Sequence, residues 1–421
     1  MRALIAIDHH FARTRAGEVY LGPPMSIPGY QFWQRYLAVF DEVVVLARVR
    51  LVEEAPSVSL RADGPGVLFH DLPDYLGPWQ YAKRLRKLRL ETESSIDECD
   101  AYILRIPGAI GHLVWKAARR RGLPIALEVV ADPWDILSPG ATKSIVRPVI
   151  RRRWSNQLRQ MCGEAAAVCY VTREALQKRY PPGPSTWSTY ASDVELADGI
   201  AEEDRIRERI SRLACHFSRT GPDVQPLKLG FLGSLAQMYK APDVLLQASA
   251  ACLRKGLSIE VSIAGDGKFR SHLEKLTVDL DITRHVFFLG ALSPGTAVSQ
   301  FLDQIDLFVL PSRQEGLPRA LVEAMARGCP CIGSTVGGIP ELLQAEDMVP
   351  PGDVDALAGK ILEIVSNRAR MEQMSQRNLE RSREYLPYVL SEKRRAFYQK
   401  VREQALRTHS RPAGLESGHN R

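Results

Sequence analysis

The sequence has few cysteines, and none of them lies in a pattern that pairs them or binds a metal. Seven cysteines are spread over 421 residues, an odd number with no Cys-x-x-Cys pair and no histidine at metal-ligand spacing. Most lie in apolar segments such as AAAVCY at 165–170. We therefore expect buried, reduced thiols rather than a disulfide framework or a zinc site.

Long apolar runs are also absent. No run approaches the roughly 18 residues that a membrane-spanning helix needs. The first run, at residues 3–7, is too short for the core of a signal peptide and is typical of a first β-strand. We expect a cytoplasmic protein.

Charge of one sign is in small excess only. Lys and Arg number 56 against 49 Asp and Glu, a net charge of +7. This balance suits an anionic ligand or an anionic lipid surface, and it is too mild to indicate nucleic acid. Hydrophobic residues at 45% and charged residues at 25% exclude a disordered chain, and the length predicts two or three domains.

Short apolar runs alternate with longer amphipathic stretches in both halves of the chain. They lie at 3–7, 43–49, 101–106, 124–130 and 165–171, and again at 227–232, 259–264, 286–289, 307–310 and 330–333. Runs rich in Val, Ile and Phe between helical patterns are typical of parallel strands buried on both faces. We predict an α/β fold of two domains, each built on a parallel sheet.

A charged segment separates the two series of strands. It ends at Gly221-Pro222, just before the next strand, and this composition is typical of a linker. We predict a first domain at 1–222, a second at 223–385, a helix at 386–407 that packs back on the first domain, and a disordered tail at 408–421.

Small and acidic residues follow the strands of the second half. They are Gly233-Ser234, Gly265-Asp266-Gly267, Gly290, the segment 312–316 and the segment 337–341. Ligands of open parallel sheets bind outside the carboxyl ends of the strands. We expect a ligand site there, although any one of these loops alone is ordinary turn chemistry.

The segment PSRQEGLPRALVEAMARGCP at 311–330 is the most informative. It predicts a helix that begins at Pro318 and ends near Gly328. Glu315 lies before this helix and Glu323 inside it, too far apart for a glycosidase pair. Between them, free N–H groups of a helix start suit a phosphate. The spacing leaves two interpretations open: an elongated sugar–diphosphate–ribose ligand, or a surface helix with two unrelated glutamates.

Five motifs together resemble one enzyme family. They are GFLGSLAQMYKAPDVLLQA (230–248), VSIAGDG (261–267), HVFFLGAL (285–292), LFVLPSRQEGLPRALVEAMARGCPCI (307–332) and STVGGIPEL (334–342). In this order they resemble the donor half of the retaining GT-B glycosyltransferases of family 4, over about residues 226–370. The first half, through LEVVADPWD and its strand pattern, is similar to the bacterial polysaccharide-assembly members.

The resemblance implies a nucleotide-sugar donor bound between two Rossmann-like domains. It implies that Glu323 accepts hydrogen bonds from the ribose hydroxyls and that Glu315 contacts the transferred sugar. Lys240 is implied to neutralise the diphosphate leaving group; its alternative is a solvated lysine before a helix. The other implied donor-binding positions are Gly17, Ser234, Gly265, Asp266, Leu289, Gly316, Leu317, Arg319 and Ala320.

Three departures from the family pattern stand out. Many members carry an arginine where this chain has Ser234, so Arg13, Arg15 or Arg319 is needed as a substitute cation. Pro318 replaces a glycine and removes one backbone donor. A histidine common after the strand at 124–130 is missing, and its role is vacant or passes to Asp132.

Candidates for the acceptor side come from the first half. His9, His10 and Arg13 follow the first predicted strand, where they face the cleft or are ordinary loop residues. Arg105, at the end of another strand, is a candidate clamp for an anionic acceptor, and Asp132 is a further candidate.

Two basic stretches, 81–90 and 143–161, contain no acid. Amphipathic basic helices rest on anionic lipid, or they pack their apolar face on the core and leave the cations in solvent. Both interpretations remain open from the sequence.

The predicted function is a retaining, metal-independent glycosyltransferase without a cofactor. It moves a sugar from a nucleotide diphosphate sugar to a hydroxyl of a glycan or lipid-linked glycan in bacterial polysaccharide synthesis. The alternatives are a nucleotide-sugar epimerase on the same fold and an inactive partner protein that binds nucleotide sugar. We expect no nucleic-acid partner.

Overall fold

The computed structural model describes residues 1–22, 27, 29–57, 59–137, 147–196, 200, 204, 206–209, 211–212 and 225–409. Within them the strands are β1 (Arg2–Arg13), β2 (Val19–Leu21), β3 (Glu42–Leu51), β4 (Leu60–Arg61), β5 (Val67–Pro73), β6 (Ala101–Ile106), β7 (Ala126–Val129), β8 (Ala167–Tyr170), β9 (Trp187–Tyr190), β10 (Leu227–Leu232), β11 (Ile259–Ala264), β12 (Val286–Gly290), β13 (Leu307–Leu310), β14 (Cys331–Ser334) and β15 (Met348–Val349). The helices are α1 (Gln34–Leu37), α2 (Gly77–Asp97), α3 (Ala109–Arg120), α4 (Pro133–Ile136), α5 (Arg147–Glu164), α6 (Ala175–Arg179), α7 (Pro242–Arg254), α8 (Arg270–Asp279), α9 (Thr296–Gln304), α10 (Arg319–Ala326), α11 (Val354–Val365), α12 (Arg368–Ser382) and α13 (Pro387–His409).

Two separate sheets organise the chain. In the first, β5, β3, β1, β6, β7, β8 and β9 run parallel, β2 pairs antiparallel with the end of β1, and β4 pairs antiparallel with β2. In the second, all strands are parallel in the order β12-β11-β10-β13-β14-β15. The predicted fold class, two α/β domains with parallel sheets, is confirmed.

Both faces of the first sheet are buried. Leu4 and Leu46 belong to the apolar cluster on one face, and Ala3, Ile5 and Val45 belong to the cluster on the other. Successive side chains of a strand point to opposite faces, so a sheet covered on both sides needs unbroken apolar runs. This is why the strands read as short apolar runs in the sequence.

The first strand is longer than its apolar run. β1 continues to Arg13 because, after a register shift between Ala6 and His10, it pairs with the second half of β3. His9, His10 and Arg13 therefore lie on a strand, not in a loop after it, which corrects the expectation. Gly17, with φ at +87°, lies in the hairpin between β1 and β2.

The chain crosses to the second domain before residue 222. Val194 and Leu196 pack in the apolar core of the second domain, and buried Arg209 donates to the carbonyl of Leu302 at 2.6 Å. The preceding residue, Asp193, still pairs with Arg35 of the first domain at 3.0 Å. The structure thus places the crossing at Asp193–Val194; Gly221-Pro222 and residues 410–421 lie outside the described part of the chain.

The last helix returns to the first domain. On α13, Phe397 and Tyr398 are buried in the cluster beneath the first sheet, and the Tyr398 hydroxyl donates to Glu128 Oε1 at 2.8 Å. Gln404 Nε2 donates to the carbonyl of Ala166 at 2.9 Å. In the described part of the chain, no helix combines the length and the apolarity required to cross a membrane.

Candidate active site

The centre of the site is a buried ion pair between Lys240 and Glu315. Their side chains are only 12% and 7% exposed, and Nζ of Lys240 lies 3.0 Å from Oε1 of Glu315. The Ser312 hydroxyl donates to the same carboxylate oxygen at 2.8 Å. Burial disfavours the charged amine, but the attraction of Glu315 outweighs it and raises the pKa of Lys240. The amine is thus held as a cation in a nearly dry site.

Lys240 owes its position to a short turn after β10. Residues 238–240 form one turn of 3₁₀ helix, and Ala241, with φ at +54°, reverses the chain into α7. The Lys240 chain passes over Gly233, where an added Cβ would lie 2.4 Å from its Cδ. A residue with a side chain at 233 would therefore displace the lysine.

The loops that end the second sheet pack backbone against backbone. A Cβ on Gly265 would lie 1.9 Å from the carbonyl oxygen of Gly233, and one on Gly267 would lie 2.2 Å from the nitrogen of Ala236. Gly265 also donates to the carbonyl of Gly290 at 2.7 Å, next to the half-exposed Leu289. These contacts bring the predicted positions Ser234, Gly265, Asp266 and Leu289 to one edge, which is how this site differs from ordinary turns.

The loop that carries Glu315 is also held by close backbone contact at glycines. Gly337 has φ at +52°, and a Cβ there would lie 1.9 Å from the carbonyl oxygen of Glu315. Gly338 donates to the carbonyl of Gly316 at 2.7 Å. The GG pair of the STVGGIPEL motif is therefore required by the close approach of two loops.

Helix α10 points its N-terminus at this centre. The N–H groups of Leu321 and Val322 turn back to the carbonyl of Pro318, so those of Arg319 and Ala320 precede the first bonds of the helix. Glu323, inside the helix, is mostly buried; burial raises its pKa, which the charges of Arg319 and Lys240 counteract. Glu315 thus precedes the start of α10 and Glu323 lies inside the helix.

A pinning arginine escaped the sequence analysis. Arg313 donates its N–H to the carbonyl of Tyr239 at 2.6 Å, and its guanidinium binds both oxygens of Asp243 at 2.9 and 2.7 Å. It thereby ties the Glu315 loop to the Lys240 turn. No local pattern marks the role of Arg313, because its partner Asp243 lies 70 residues earlier in the sequence.

The first domain closes over the site at two places. The carbonyl oxygen of Val130, after β7, lies 3.8 Å from the position of a Cβ on Gly316. The carboxylate of Glu341 accepts the N–H groups of Arg173, Glu174 and Ala175 at 2.6, 2.9 and 2.5 Å, across the domain boundary. Residues from both domains therefore surround one cleft.

Two predicted acceptor-side residues are already used within the first domain. Arg105 is buried and forms ion pairs with Glu128 and, at 2.7 Å, with Asp193. Buried Asp132 accepts the N–H of Trp134 at 2.8 Å and binds Arg179 and the Tyr180 hydroxyl. Both charges are compensated, because partners far away in sequence fold onto them, so neither residue is available as a clamp.

The first-strand candidates are not gathered at the ion pair. His10 Nδ1 lies 2.6 Å from Asp74. Nε and Nη2 of Arg13 each donate to the Asp71 carboxylate at 2.6 Å. No atom of the described chain comes within 4 Å of a Cβ placed on Gly17. Burial lowers the pKa of His9 to about 4, so it is neutral at pH 7.

Of the three substitute cations, one remains. Arg13 is held by Asp71 and Arg15 by Glu53 at 2.6 Å. Arg319 is exposed at the start of α10 and forms no ion pair with a residue that the structure describes. Its charge acts on both Lys240 and Glu323. It is therefore the cation best placed for a ligand at the ion pair.

The second half of the chain is similar to a known protein family. Residues 226–367 match the family model described as glycosyl transferases group 1. The chain is 24% identical to protein CapJ of Staphylococcus aureus over 82% of both chains. It is 32% identical to the amylovoran biosynthesis glycosyltransferase AmsK of Erwinia amylovora, over 34% of this chain and 37% of AmsK.

Among solved structures, the chain is similar to HepE of Anabaena in complex with UDP and glucose. The TM-score is 0.60 at 16% identity, covering 98% of this chain and 100% of HepE. The fold is therefore GT-B, and residues 226–367 resemble the group 1 glycosyl transferases. The resemblance found in the sequence motifs is confirmed at this level.

Proposed function

We propose that this chain, which carries a group 1 glycosyl transferase domain, moves a sugar from a nucleotide diphosphate sugar to a hydroxyl of a glycan or lipid-linked glycan. The observation that carries the proposal is the buried Lys240–Glu315 pair close to the start of α10, the helix that carries Glu323. AmsK, named for amylovoran biosynthesis, supports a bacterial polysaccharide as the product. We place the reaction in the cytoplasm, at the inner face of the membrane.

The donor spans the line of groups already described. Glu323 accepts the two ribose hydroxyls, and Glu315 accepts hydroxyls of the sugar. The diphosphate lies between them on Lys240, Arg319 and the N–H groups of Leu317, Arg319 and Ala320. HepE was solved with UDP and glucose, which supports a nucleotide sugar as the donor here.

The chemical step follows from where the cations lie. The bond from the anomeric carbon to the diphosphate oxygen breaks as charge grows on that oxygen, next to Lys240 and Arg319. The acceptor hydroxyl attacks on the same face and passes its proton to the leaving phosphate. A new bond from the anomeric carbon to the acceptor oxygen forms, and the configuration is retained. Lys240 and the start of α10 supply the positive charge, so we propose that no metal is needed.

The test is transfer from labelled donors. The full chain is incubated with radiolabelled nucleotide sugars and a bacterial lipid extract, and the extracted label is counted. Lys240→Ala is expected to reduce transfer by about 100-fold or more. Lys255→Ala, an exposed lysine after α7, is the matched control and should leave it unchanged. Full activity of Lys240→Ala would reject the site.

Two further measurements separate this function from the alternatives. Incubation of donor without acceptor, followed by sugar analysis, detects an epimerase. A thermal-shift panel of nucleotides identifies the base, because a ligand that binds only the folded chain raises its melting temperature. Binding without transfer to any acceptor would favour a partner protein that only holds the donor.

A further inference from the structure

A groove of about 760 Å³ opens in the first domain, away from the ion pair. It lies at the carboxyl edge of the first sheet, between α2, α3 and α5. Its volume is typical of a ligand site. Much of its wall is apolar, from Tyr81, Leu85, Leu113, Ile136, Trp154 and Leu158.

Besides Arg48, three cations line the same groove. Arg89, Lys116 and Arg153 come from three different helices, and none of them forms an ion pair within the described residues. The acid in the lining, Asp8, is already paired with Arg48 at 2.9 Å and accepts the N–H of Ala109. The groove therefore combines an apolar wall with uncompensated positive charge.

Polar atoms at the inner end of the groove have no partner. The Tyr75 hydroxyl belongs to a residue that is only 6% exposed, and it has no hydrogen bond to any part of the chain that is described. Two further buried atoms, Nε of Arg48 and Nδ1 of His112, also have no hydrogen-bond partner among the described residues. The Arg48 guanidinium lies over the Tyr75 ring. Unpaired buried polar atoms are costly, and a ligand with polar oxygens would satisfy them.

The groove reaches toward the donor site. Ile106 lines it, and its carbonyl accepts the N–H of Val130 at 2.8 Å. The carbonyl of Val130 in turn approaches Gly316, beside Glu315. Ile106 and Val130, which this hydrogen bond joins, therefore lie between the groove and the proposed sugar pocket.

The outer end of the groove is apolar and open. Trp154 and Ile136 line it and are 37% and 47% exposed, and Val149, five residues before Trp154 on α5 and outside the lining, is 70% exposed. On α5 only the later apolar residues, such as Leu158 and Met161, are buried in the core. The second half of α5 is therefore packed on the core of the domain. Apolar side chains of its first half remain exposed and can contact a ligand.

We propose that this groove holds a lipid-linked acceptor, with the hydrocarbon chain on the apolar wall and a phosphate on Arg89, Lys116 and Arg153. The polar atoms of Tyr75, Arg48 and His112 receive the head group, whose sugar hydroxyl then faces the donor. The inference rests on the proposed function for that last step, but the binding itself does not.

The test is calorimetric titration of the full chain with farnesyl phosphate, in the absence of nucleotide sugar. Farnesol and inorganic phosphate are the comparison ligands, one with the chain alone and one with the anion alone. We expect farnesyl phosphate to bind at least about ten-fold more tightly than either. Equal binding of farnesol, or equal binding of inorganic phosphate, would overturn the proposal.

Two variants and one control locate the site. Lys116→Glu with Arg153→Glu should weaken farnesyl phosphate binding by about ten-fold or more. Arg152→Glu makes the same charge change on α5 at a residue outside the lining and should change it less than about two-fold. An equal loss in the control would show general surface electrostatics and reject the groove.

Tyr75→Phe keeps the test decisive if the charge variant does not fold. Removing an unpartnered hydroxyl should leave the melting temperature unchanged or higher, while binding of a farnesyl diphosphate that carries a hexose as head group should fall by about ten-fold. Unchanged binding would reject the head-group assignment. Loss of sugar transfer with intact binding would reject only the enzymatic function, and transfer to a soluble glycan without lipid binding would reject only the groove.

Discussion

The two sheets end in two edges that are built in opposite ways. At the edge of the second sheet, Lys240 is paired with Glu315, and neighbouring loops touch backbone to backbone through Gly265 and Gly337. At the edge of the first sheet, Lys116, Arg153 and the Tyr75 hydroxyl have no partner among the residues that the structure describes. The first arrangement is paired and closely packed as it stands, and in our proposal a ligand completes the second.

The difference has a physical reason. A donor with fixed geometry gains most from charges and N–H groups that already stand in place, because no reorganisation is needed in the reaction. A long flexible acceptor gains from apolar area and a few charges, whose precise positions matter less. The four predictions below break or sharpen this comparison, from the largest effect to the smallest.

The close packing of the donor edge breaks most severely at Gly337. Alanine there would place Cβ 1.9 Å from the Glu315 carbonyl oxygen, so the backbone must shift. We expect transfer activity to fall by about 100-fold and the free energy of unfolding by about 3 kcal/mol.

Gly352→Ala is its control. Gly352 has φ at +81°, yet nothing lies within 4 Å of an added Cβ. It should lose only about 1 kcal/mol and keep its activity. Urea unfolding and the transfer assay measure both variants, and equal losses would show that backbone strain, not loop contact, governs the site.

Two lysines test paired against unpaired charge. Lys240→Met leaves the buried Glu315 carboxylate without its cation and should cost about 3 kcal/mol of unfolding free energy. Lys116→Met removes an exposed lysine without an ion pair among the described residues and should change it by less than about 0.5 kcal/mol.

The double variant Lys240→Met with Glu315→Gln separates stability from activity. It removes both charges and should recover most of the lost stability, while transfer stays abolished. If transfer returned together with stability, Lys240 would have only a structural role. Denaturant titration and the labelled-donor assay provide the two measurements.

His112, which lines the groove, should make the stability of the protein depend on pH. Burial, together with the charges of Lys116 and Arg153, lowers the pKa of His112 to about 4, against 6.5 when unfolded. The unfolded chain therefore binds a proton first as the pH falls, and the folded state loses stability between pH 6.5 and 4. We expect about 2 kcal/mol from this residue, after allowing for its partial exposure.

The measurement compares the wild-type protein with His112→Gln by urea unfolding at pH 7 and pH 4.5. The variant should lose less stability over this interval, since the other acid-sensitive groups contribute equally to both proteins. Identical losses would mean that His112 is protonated in the folded state.

The smallest effect is expected where the two edges meet. Glu341→Gln weakens the three hydrogen bonds to residues 173–175 and should cost about 1 kcal/mol, with a severalfold higher KM for the donor. Glu346→Gln, a half-exposed acid paired within the second domain, is the control. A kcat change without a KM change would contradict a role in holding the domains together.

Much of the second domain can be predicted from the sequence, because the residues that form its helices and loops lie close together in the chain. The helix at 319–326 has its proline at the start and its glycine just past the end, within one motif. Glu323 lies inside that helix and Glu315 lies in the same motif just before it, so both positions are close in sequence. Lys240 lies 75 residues earlier, and only its own motif placed it at the same edge.

The first domain is harder to predict from the sequence because its charged residues pair with partners far away in the chain. Arg105 reads as a free arginine at a strand end, but Glu128 and Asp193 fold onto it from 23 and 88 residues away. His9 and His10 read as loop residues because β3, which extends β1 to Arg13, pairs through a register shift that no local pattern marks.

The sequence by itself determined the two parallel-sheet domains, the boundaries of the main motif and the identity of the buried acid and lysine. Those depend on periodicity, helix capping and residue chemistry, which act over a few positions. The tertiary structure alone decided which charges are neutralised and which stay available. Pairing depends on contacts between residues far apart in the chain, so an arginine is ion-paired at 105 and has no ion pair among the described residues at 153.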